Sequence, residues 1–164
     1  MKNNNELHQK DSSNFHFNVC DTEFYPVREG FSAFREAVAG AFMPWIMERP
    51  LDGEFSARIA SFSTEVGSFG RTRMSPLMGI RNKAELSKSP ERCLYANYVL
   101  SGQLFIEQGD KVTAANKGDL IVFDSTLPVR HIKVGDSAFE DLTFSISKEQ
   151  IGSADQIFEN VVIP

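Results

Sequence analysis

Residues 98–134 constrain the fold most, because short apolar runs alternate there with turn residues at close and even spacing. Runs of about four to six residues bounded by turns predict strands rather than helices. Such runs lie at residues 103–108, 111–115, 120–123 and 129–134. Between the first two, Gly109-Asp110 supplies the positive φ that a tight hairpin needs. This stretch therefore predicts consecutive short antiparallel strands.

The flanking segments extend the same pattern. Further strands are predicted over residues 55–62, 63–74, 94–100 and 138–146. Residues 75–92 are expected to be mostly connection, with a short helix near 83–86. One longer helix is predicted over residues 32–42, where apolar side chains recur at helical spacing and Ser32 can cap the first turn. Many short strands favour an all-β sandwich or small barrel with helices on its outside.

Several short motifs, taken in order, resemble the sensing domain of AraC/XylS-type bacterial transcription regulators. They are Arg71-Thr72, Leu-Ser-Gly-Gln at 100–103, Glu107-Gln108, Gly118-Asp119 and Phe123-Asp124-Ser125 through Pro128. They resemble in particular the subgroup whose cupin-like N-terminal domain responds to small aromatic compounds. The resemblance covers residues 31–151. It implies a mainly β, cupin-like (double-stranded β-helix, or jelly-roll) barrel with flanking α-helices, which binds a small-molecule effector.

Charge argues against direct contact with DNA. The chain has 22 acidic and 17 basic residues, a net charge of −5 and no basic run. Affinity for nucleic acid rests on neutralising phosphates with Lys and Arg. The resemblance likewise implies that DNA is bound only through a helix-turn-helix domain that lies outside this chain.

Other sequence features bear on localisation. Residues 1–14 are polar and lack the apolar core of a signal peptide, and no apolar run is long enough to cross a bilayer. Cys20 and Cys93 are far apart and match no metal or redox spacing. These features predict a cytoplasmic protein with reduced thiols and no membrane contact.

The residues required for metal-dependent cupin chemistry are not found. Cupin enzymes hold a metal with two closely spaced His, a Glu and a further His, whereas this chain has three His and no H-x-H. His8 and His16 lie in the N-terminal arm. His131 and Glu107 lie on predicted strands, but they give two ligands where a catalytic site needs three. No nucleophile elbow and no phosphate-binding loop occurs either. We therefore expect no metal, no cofactor and no enzymatic activity.

A small barrel of about eight strands can hold one ligand in a mostly apolar site with a few convergent polar groups. The candidate ligand-binding residues are Arg71, Tyr95, Tyr98, Phe105, His131 and Trp45. Arginine suits a carboxylate effector through a bidentate pair. The resemblance implies that Arg71 matters for the sensor, either by contacting the effector or by bracing the barrel.

Each polar candidate also has an ordinary structural interpretation. Tyr98 shares a predicted strand face with the apolar Leu94, so it is either a core tyrosine or part of the pocket lining. His131 is either a solvated or hydrogen-bonded imidazole, or a ligand contact. Arg73 and Asn97 are predicted to be surface residues of their strands.

The predicted organisation has three parts. Residues 1–25 are a flexible N-terminal arm, residues 26–151 the cupin-like effector-sensing domain, and residues 152–164 the start of a linker or helix toward the absent DNA-binding domain. We expect a fragment cut at a domain boundary, with a naturally short protein as the other option. Formation of a homodimer is left open.

The predicted function is effector sensing that controls DNA binding. Two other classes stay open. One is a stand-alone metal-free cupin enzyme, an isomerase or lyase, in which His131 and Glu107 would both point inward and act as acid and base. The other is a non-catalytic small-molecule-binding or oligomerisation module, which a barrel too tightly packed to admit a ligand would favour.

Overall fold

A computed structural model of the chain describes residues 15–49, 53–89, 92–135, 137–151 and 162–163. Its strands are β1 (His16–Asp21), β2 (Ile46–Glu48), β3 (Ala57–Thr64), β4 (Gly67–Met74), β5 (Met78–Arg81), β6 (Cys93–Ser101), β7 (Gln103–Gln108), β8 (Lys111–Asn116), β9 (Leu120–Asp124), β10 (Val129–Val134), β11 (Phe139–Ser147) and β12 (Val162–Ile163). Its helices are α1 (Val27–Ala41), α2 (Lys83–Ser87) and α3 (Lys148–Ile151), with a 3-10 turn at Thr22–Phe24.

The strands form two antiparallel sheets. One has the order β1-β3-β4-β11-β6-β9-β12, and the other has the order β2-β5-β10-β7-β8. Buried side chains from both sheets meet in a single core, in which Val99 and Ile121 of the larger sheet lie with Leu104 and Val129 of the smaller one. The prediction of a mainly β, cupin-like barrel with flanking helices is confirmed.

Two glycines allow the turns that the sequence predicted in its central stretch. Gly109 has a φ of 60° in the hairpin between β7 and β8. Gly102 has a φ of 80° where the chain leaves β6 in one sheet and enters β7 in the other. A Cβ at Gly102 would lie 3.1 Å from the carbonyl oxygen of Ala138, so the position requires both the positive φ and the missing side chain.

Helix α1 exists where a helix was predicted, but the predicted start at Ser32 is wrong. The helix begins at Val27, directly after Pro26, and Ser32 lies inside it. Pro26 has no backbone N–H to donate. This costs nothing at the start of a helix, because an N–H there would have no partner within the helix. Gly30 permits the extra turn to pack closely, because a Cβ there would lie 3.2 Å from the Cβ of Thr22.

The predicted connection over residues 75–92 contains a strand that sequence reasoning missed. β5 has four residues and pairs with β2 on one side and β10 on the other. So short a strand has little alternation to reveal it, and its stability comes from these partners. The short helix expected in this segment is confirmed as α2, whose first turn is capped by the side chain of Asn82.

Both ends of the described chain add strands to the larger sheet. β1 pairs with β3 along its whole length, so part of the predicted arm, residues 1–25, belongs to the sheet. β12 pairs with β9 at the opposite edge. Residues 1–14 and 152–161 lie outside the described residues, and the three-part division of the chain stays a prediction. Among the described helices, none is long and apolar enough to span a bilayer.

Candidate functional site

A cavity of about 90 Å³ lies inside the barrel, between the two sheets and α1. This volume can hold several water molecules or one small organic molecule. Most of its lining is apolar and comes from α1 and both sheets. Representative apolar residues of the lining are Phe34, Val38, Leu104, Ile132, Val134 and Phe139.

Four polar residues occupy one wall of the cavity and are named here the inner polar cluster: Thr72, Asn97, Asp141 and Thr143. Strand register brings them together. Thr143 of β11 lies opposite Asn97 of β6, and Asp141 of β11 lies opposite Thr72 of β4. All four are buried. They therefore form a compact polar patch in a cavity lining that is otherwise mostly apolar.

Hydrogen bonds within the inner polar cluster satisfy only part of its capacity. The Asn97 side-chain amide donates to Asp141 Oδ2 at 2.6 Å and to Thr143 Oγ1 at 2.7 Å. The Thr143 hydroxyl donates to the same Asp141 Oδ2 at 3.0 Å. Asp141 Oδ1 and Asn97 Oδ1 are buried without a hydrogen-bond partner. Two acceptors beside the cavity thus lack a donor, and leaving such groups unpaired costs about 1–3 kcal/mol each.

Burial also changes the acidity of the cluster. Desolvation raises the pKa of the Asp141 carboxyl to about 6, with a smaller push from Glu140, while the hydrogen bonds from Asn97 and Thr143 oppose the shift. The side chain is charged in most molecules at neutral pH. None of the described residues that line the cavity is Lys, Arg or His. Within this part of the lining, the Asp141 carboxylate therefore has no cation beside it.

Aromatic rings form a second wall. Tyr95 of β6 stacks on Phe123 of β9 with ring centroids 5.6 Å apart, and Trp45 meets Phe123 edge to face at 6.2 Å. The Tyr95 hydroxyl donates to the carbonyl oxygen of Phe42 at 2.9 Å, which ties the chain after α1 to the barrel. Tyr95 and Asn97 are two residues apart on β6 and face the same interior, so the aromatic and polar walls adjoin.

The structure brings two of the six predicted site residues into this cavity, namely Tyr95 and Trp45. Arg71 and Tyr98 lie on the opposite face of the larger sheet. Arg71 forms an ion pair with Glu140, with Nη2 and Oε1 2.6 Å apart, and both Arg71 and Tyr98 are exposed to solvent. Arg71 is therefore not a cavity residue here, and the partner it meets is a carboxylate of its own chain.

Phe105 and His131 also lie outside the cavity lining. Phe105 is half-buried on the face of β7 opposite to Leu104. The His131 side chain is 55% exposed, and its Nδ1 lies 3.9 Å from Glu107 Oε2. The pair that a metal-free enzyme was expected to use does not point inward, because the inward positions of these strands are held by apolar residues such as Leu104 and Val134.

The inner polar cluster was missed by sequence reasoning, and the prediction that Asn97 is a surface residue is wrong. Asn97 is 7% exposed, because it lies between Tyr95 and Val99 on β6 and shares their inward face. Asp141 was not predicted as a site residue, because its strand also contains the apolar residues Phe144 and Ile146. The available signal was the polar series Asp141, Thr143, Ser145 at a period of two.

A second buried polar group lies outside the cavity lining. Arg81 of β5 is completely buried, donates from Nη1 to the carbonyl oxygen of Ser125, and leaves Nε and Nη2 without a partner. Burial lowers the pKa of its guanidinium, while Tyr95 and Glu85 act against the shift. The Ser125 side chain accepts from the backbone N–H of Cys93 at 2.8 Å. Arg81 thereby links β5 to the turn between β9 and β10.

A metal site in the described residues would need several ligating side chains close together. Among those residues, no group of three or more His, Cys, Asp or Glu side chains is arranged to hold an ion. The described cysteines, Cys20 and Cys93, are both buried.

Comparison with known proteins supports the fold. No family model matches the chain, and no curated protein is similar in sequence. Among solved structures, the AraC-like transcriptional activator CuxR superposes with a TM-score of 0.67 at 15% identity, covering 82% of this chain and 48% of that one. This chain thus spans about half of the length of that activator. The resemblance to AraC-type regulators is confirmed at the level of the fold.

Two further structures are similar over a smaller part of the chain. The EutQ protein of Clostridium difficile matches with a TM-score of 0.41 at 14% identity, over 57% of this chain and 69% of that one. Oxalate decarboxylase from Bacillus subtilis matches with a TM-score of 0.40 at 19% identity, over 63% of this chain and 28% of that one.

Proposed function

We propose that this chain is the effector-sensing domain of an AraC-type transcription regulator, in which a small molecule binds inside the barrel. The observation that carries the proposal is the barrel cavity with its two unpartnered buried acceptors, Asp141 Oδ1 and Asn97 Oδ1. The similarity to half of an AraC-like activator gives the regulatory context. An oligomerisation module would gain nothing from a hollow barrel interior with unpaired polar groups, since such groups cost stability.

The same geometry suggests how binding would be transmitted. The chain after α1 contributes Phe42, Met43, Trp45 and Met47 to the cavity lining and continues into β2 at the edge of the smaller sheet. A ligand that contacts these residues would favour one arrangement of this segment over another. The resulting shift is limited by the difference in ligand affinity between the two arrangements. Output would pass to a helix-turn-helix domain outside this chain, in a cytoplasmic regulator whose subunit count the proposal leaves open.

The test is a screen of small molecules by thermal unfolding of the 164-residue chain, with two matched variants. Val134→Phe adds a ring to a cavity residue that is 2% exposed, and Val112→Phe makes the same change on β8 at a residue that is 74% exposed. We expect hits that raise Tm for the wild type and for Val112→Phe but leave Val134→Phe unchanged. A ligand present at a hundred times its Kd adds about 2.7 kcal/mol to the free energy of unfolding.

Circular dichroism of Val134→Phe separates a blocked cavity from a misfolded barrel. Equal ligand-induced Tm shifts in Val134→Phe and Val112→Phe, with both variants folded, would place binding elsewhere and overturn the proposal.

A second candidate, a metal-free enzyme, rests on one observation. The Asp141 carboxyl has a pKa raised to about 6 and lies beside an aromatic-walled cavity, which suits a general acid or base working near neutral pH. Turnover of a bound compound that is lost in Asp141→Asn, while binding of that compound is retained, would favour the enzyme. Binding without turnover in the wild type would favour the sensor.

A further inference from the structure

We infer that the ligand of the barrel cavity is a small amine, whose ammonium group is received by Asp141 and Asn97 and whose apolar body packs against the aromatic wall. The inference rests on the proposed function, because it names the chemical class that the same cavity would take. It follows from three properties of the lining: the sign of its charge, the kind of hydrogen-bonding group left free, and the rings beside them.

The charge of the cavity favours a cation over an anion. Among the described residues that line the cavity, Asp141 alone has a formally charged side chain, and it is 2% exposed. A carboxylate or phosphate ligand would enter beside this charge, and no described residue of the lining is a Lys, Arg or His that could receive it. Like charges at short range in a low-dielectric interior repel strongly, whereas an ammonium would compensate the buried carboxylate.

The free hydrogen-bonding groups demand a donor. The Asn97 amide N–H groups and the Thr143 hydroxyl are already engaged with Asp141 Oδ2 or with each other. What remains is Asp141 Oδ1 and Asn97 Oδ1, which are both acceptors. An ammonium group carries three donors and no acceptor, so it matches this set. Thr72, opposite Asp141, adds a hydroxyl to the same wall.

The rings complete the match. Tyr95 adjoins Asn97 on the inward face of β6, and it stacks with Phe123, which Trp45 in turn meets edge to face. The faces of aromatic rings attract cations and apolar groups alike. The cavity of about 90 Å³ limits the body of the amine to a short alkyl chain or a single ring.

The experiment uses two sets of compounds that share a body and differ in one group. The first set is butylamine, 1-butanol and butyrate, and the second is benzylamine, benzyl alcohol and benzoate. Binding to the 164-residue chain is measured by isothermal titration calorimetry at pH 7.5 and fixed ionic strength. We expect at least one of the amines to bind at least ten-fold more tightly than its alcohol, and the carboxylate of that set not to bind.

Two variants locate the preference. Asp141→Asn should reduce amine affinity at least ten-fold while leaving alcohol affinity within about two-fold. Glu140→Gln removes a charge from the neighbouring residue, whose carboxylate pairs with Arg71 outside the cavity, and should leave the amine preference unchanged. Both variants change the net charge of −5 of the whole chain by the same one unit, so the control accounts for that change.

The outcomes separate the inference from the function on which it rests. An alcohol or carboxylate that binds as tightly as its amine, with the order unchanged in Asp141→Asn, would overturn the inference but keep the cavity as a binding site. The same holds if none of the six compounds binds while other compounds give Tm shifts that Val134→Phe abolishes. Amine binding that survives in Val134→Phe would overturn both.

Discussion

The larger sheet has a group of polar side chains on its inner face and a row of aromatic side chains on its outer face. Toward the interior, β4, β6 and β11 present the inner polar cluster of Thr72, Asn97, Asp141 and Thr143. Toward solvent, neighbouring strands present an outer aromatic row, Phe17, Phe62, Phe69 and Phe144, in which each ring lies at the register position of the next. All four rings are exposed.

The difference shows that stability alone does not account for this sheet. Core positions are normally apolar, and unpaired polar atoms there lower the stability of the fold. Aromatic rings that stay exposed to solvent add little stability. The inner face of the sheet has apolar residues at Phe139, Tyr95 and Val99, and polar residues at the inward positions between them. This arrangement supports the proposed binding of a polar ligand group inside the barrel.

The largest expected effect compares two phenylalanines on one strand. Phe139 is 1% exposed on the inner face of β11, and Phe144 is 37% exposed on the outer face. Phe139→Ala should lower the free energy of unfolding by about 3–5 kcal/mol, because it leaves a cavity in a packed core. Phe144→Ala should cost about 1–2 kcal/mol, since it loses partial burial and one ring contact with Phe69.

Urea unfolding of both variants measures the difference. Equal losses would mean that the outer aromatic row packs as tightly as the core, and the contrast between the two faces would disappear.

The sequence predicted the strands well but not which face of the central strands points inward. Turn glycines and apolar runs gave the positions of β6 to β11, and the cupin-like barrel followed from them. On β6 the alternation offered Leu94 and Tyr98 on one side against Tyr95 and Asn97 on the other, and both sides contain apolar residues. A hydrophobic pattern cannot choose between such faces, since register and orientation are then decided by partner strands.

For the same reason, the candidate site was predicted only in part. Tyr95 and Trp45 were predicted as ligand-binding residues and line the cavity, whereas Asp141 and Asn97 depend on a register between strands more than forty residues apart. Arg71 was predicted from the resemblance, which does not indicate on which face of β4 its side chain lies.

The second expected effect is a dependence of stability on pH that comes from the inner face. The pKa of Asp141 rises from 3.8 to about 6 on folding, so the folded state binds the proton more tightly than the unfolded state. The contribution of this group therefore favours folding most below about pH 4 and is lost as the pH rises to about 6. A shift of this size corresponds to on the order of 3 kcal/mol.

Asp141→Asn removes this titration while keeping the shape of the side chain. We expect it to be more stable than the wild type by about 1–3 kcal/mol at pH 7.5, and the difference to shrink toward zero near pH 4. Urea midpoints at four pH values measure this difference in stability. Glu140→Gln is the control, because it makes the matched change outside the barrel. If the free energy of unfolding varied with pH in the same way for the wild type and for Asp141→Asn, the pKa of the buried carboxyl would not be raised on folding.

The smallest expected effect concerns the polar pair on the outer face, Arg71 and Glu140. Their side chains are 63% and 23% exposed, so solvent screens the ion pair despite its 2.6 Å contact. A double-mutant cycle with Arg71→Ala and Glu140→Ala should give a coupling of about 0.2–1 kcal/mol that falls with added salt. Ligand-induced Tm shifts should be retained in Arg71→Ala, because the guanidinium lies on the far side of the sheet from the cavity.

The motif resemblance made Arg71 the first candidate for contact with an effector, so this variant decides between the resemblance and the geometry. Loss of ligand response in a folded Arg71→Ala protein would mean that the outer face takes part in sensing. Arg73→Ala is the matched control, because Arg73 is exposed on the same face of β4. A loss confined to Arg71→Ala would then indicate that its ion pair with β11 keeps Asp141, the next residue, correctly placed inside the barrel.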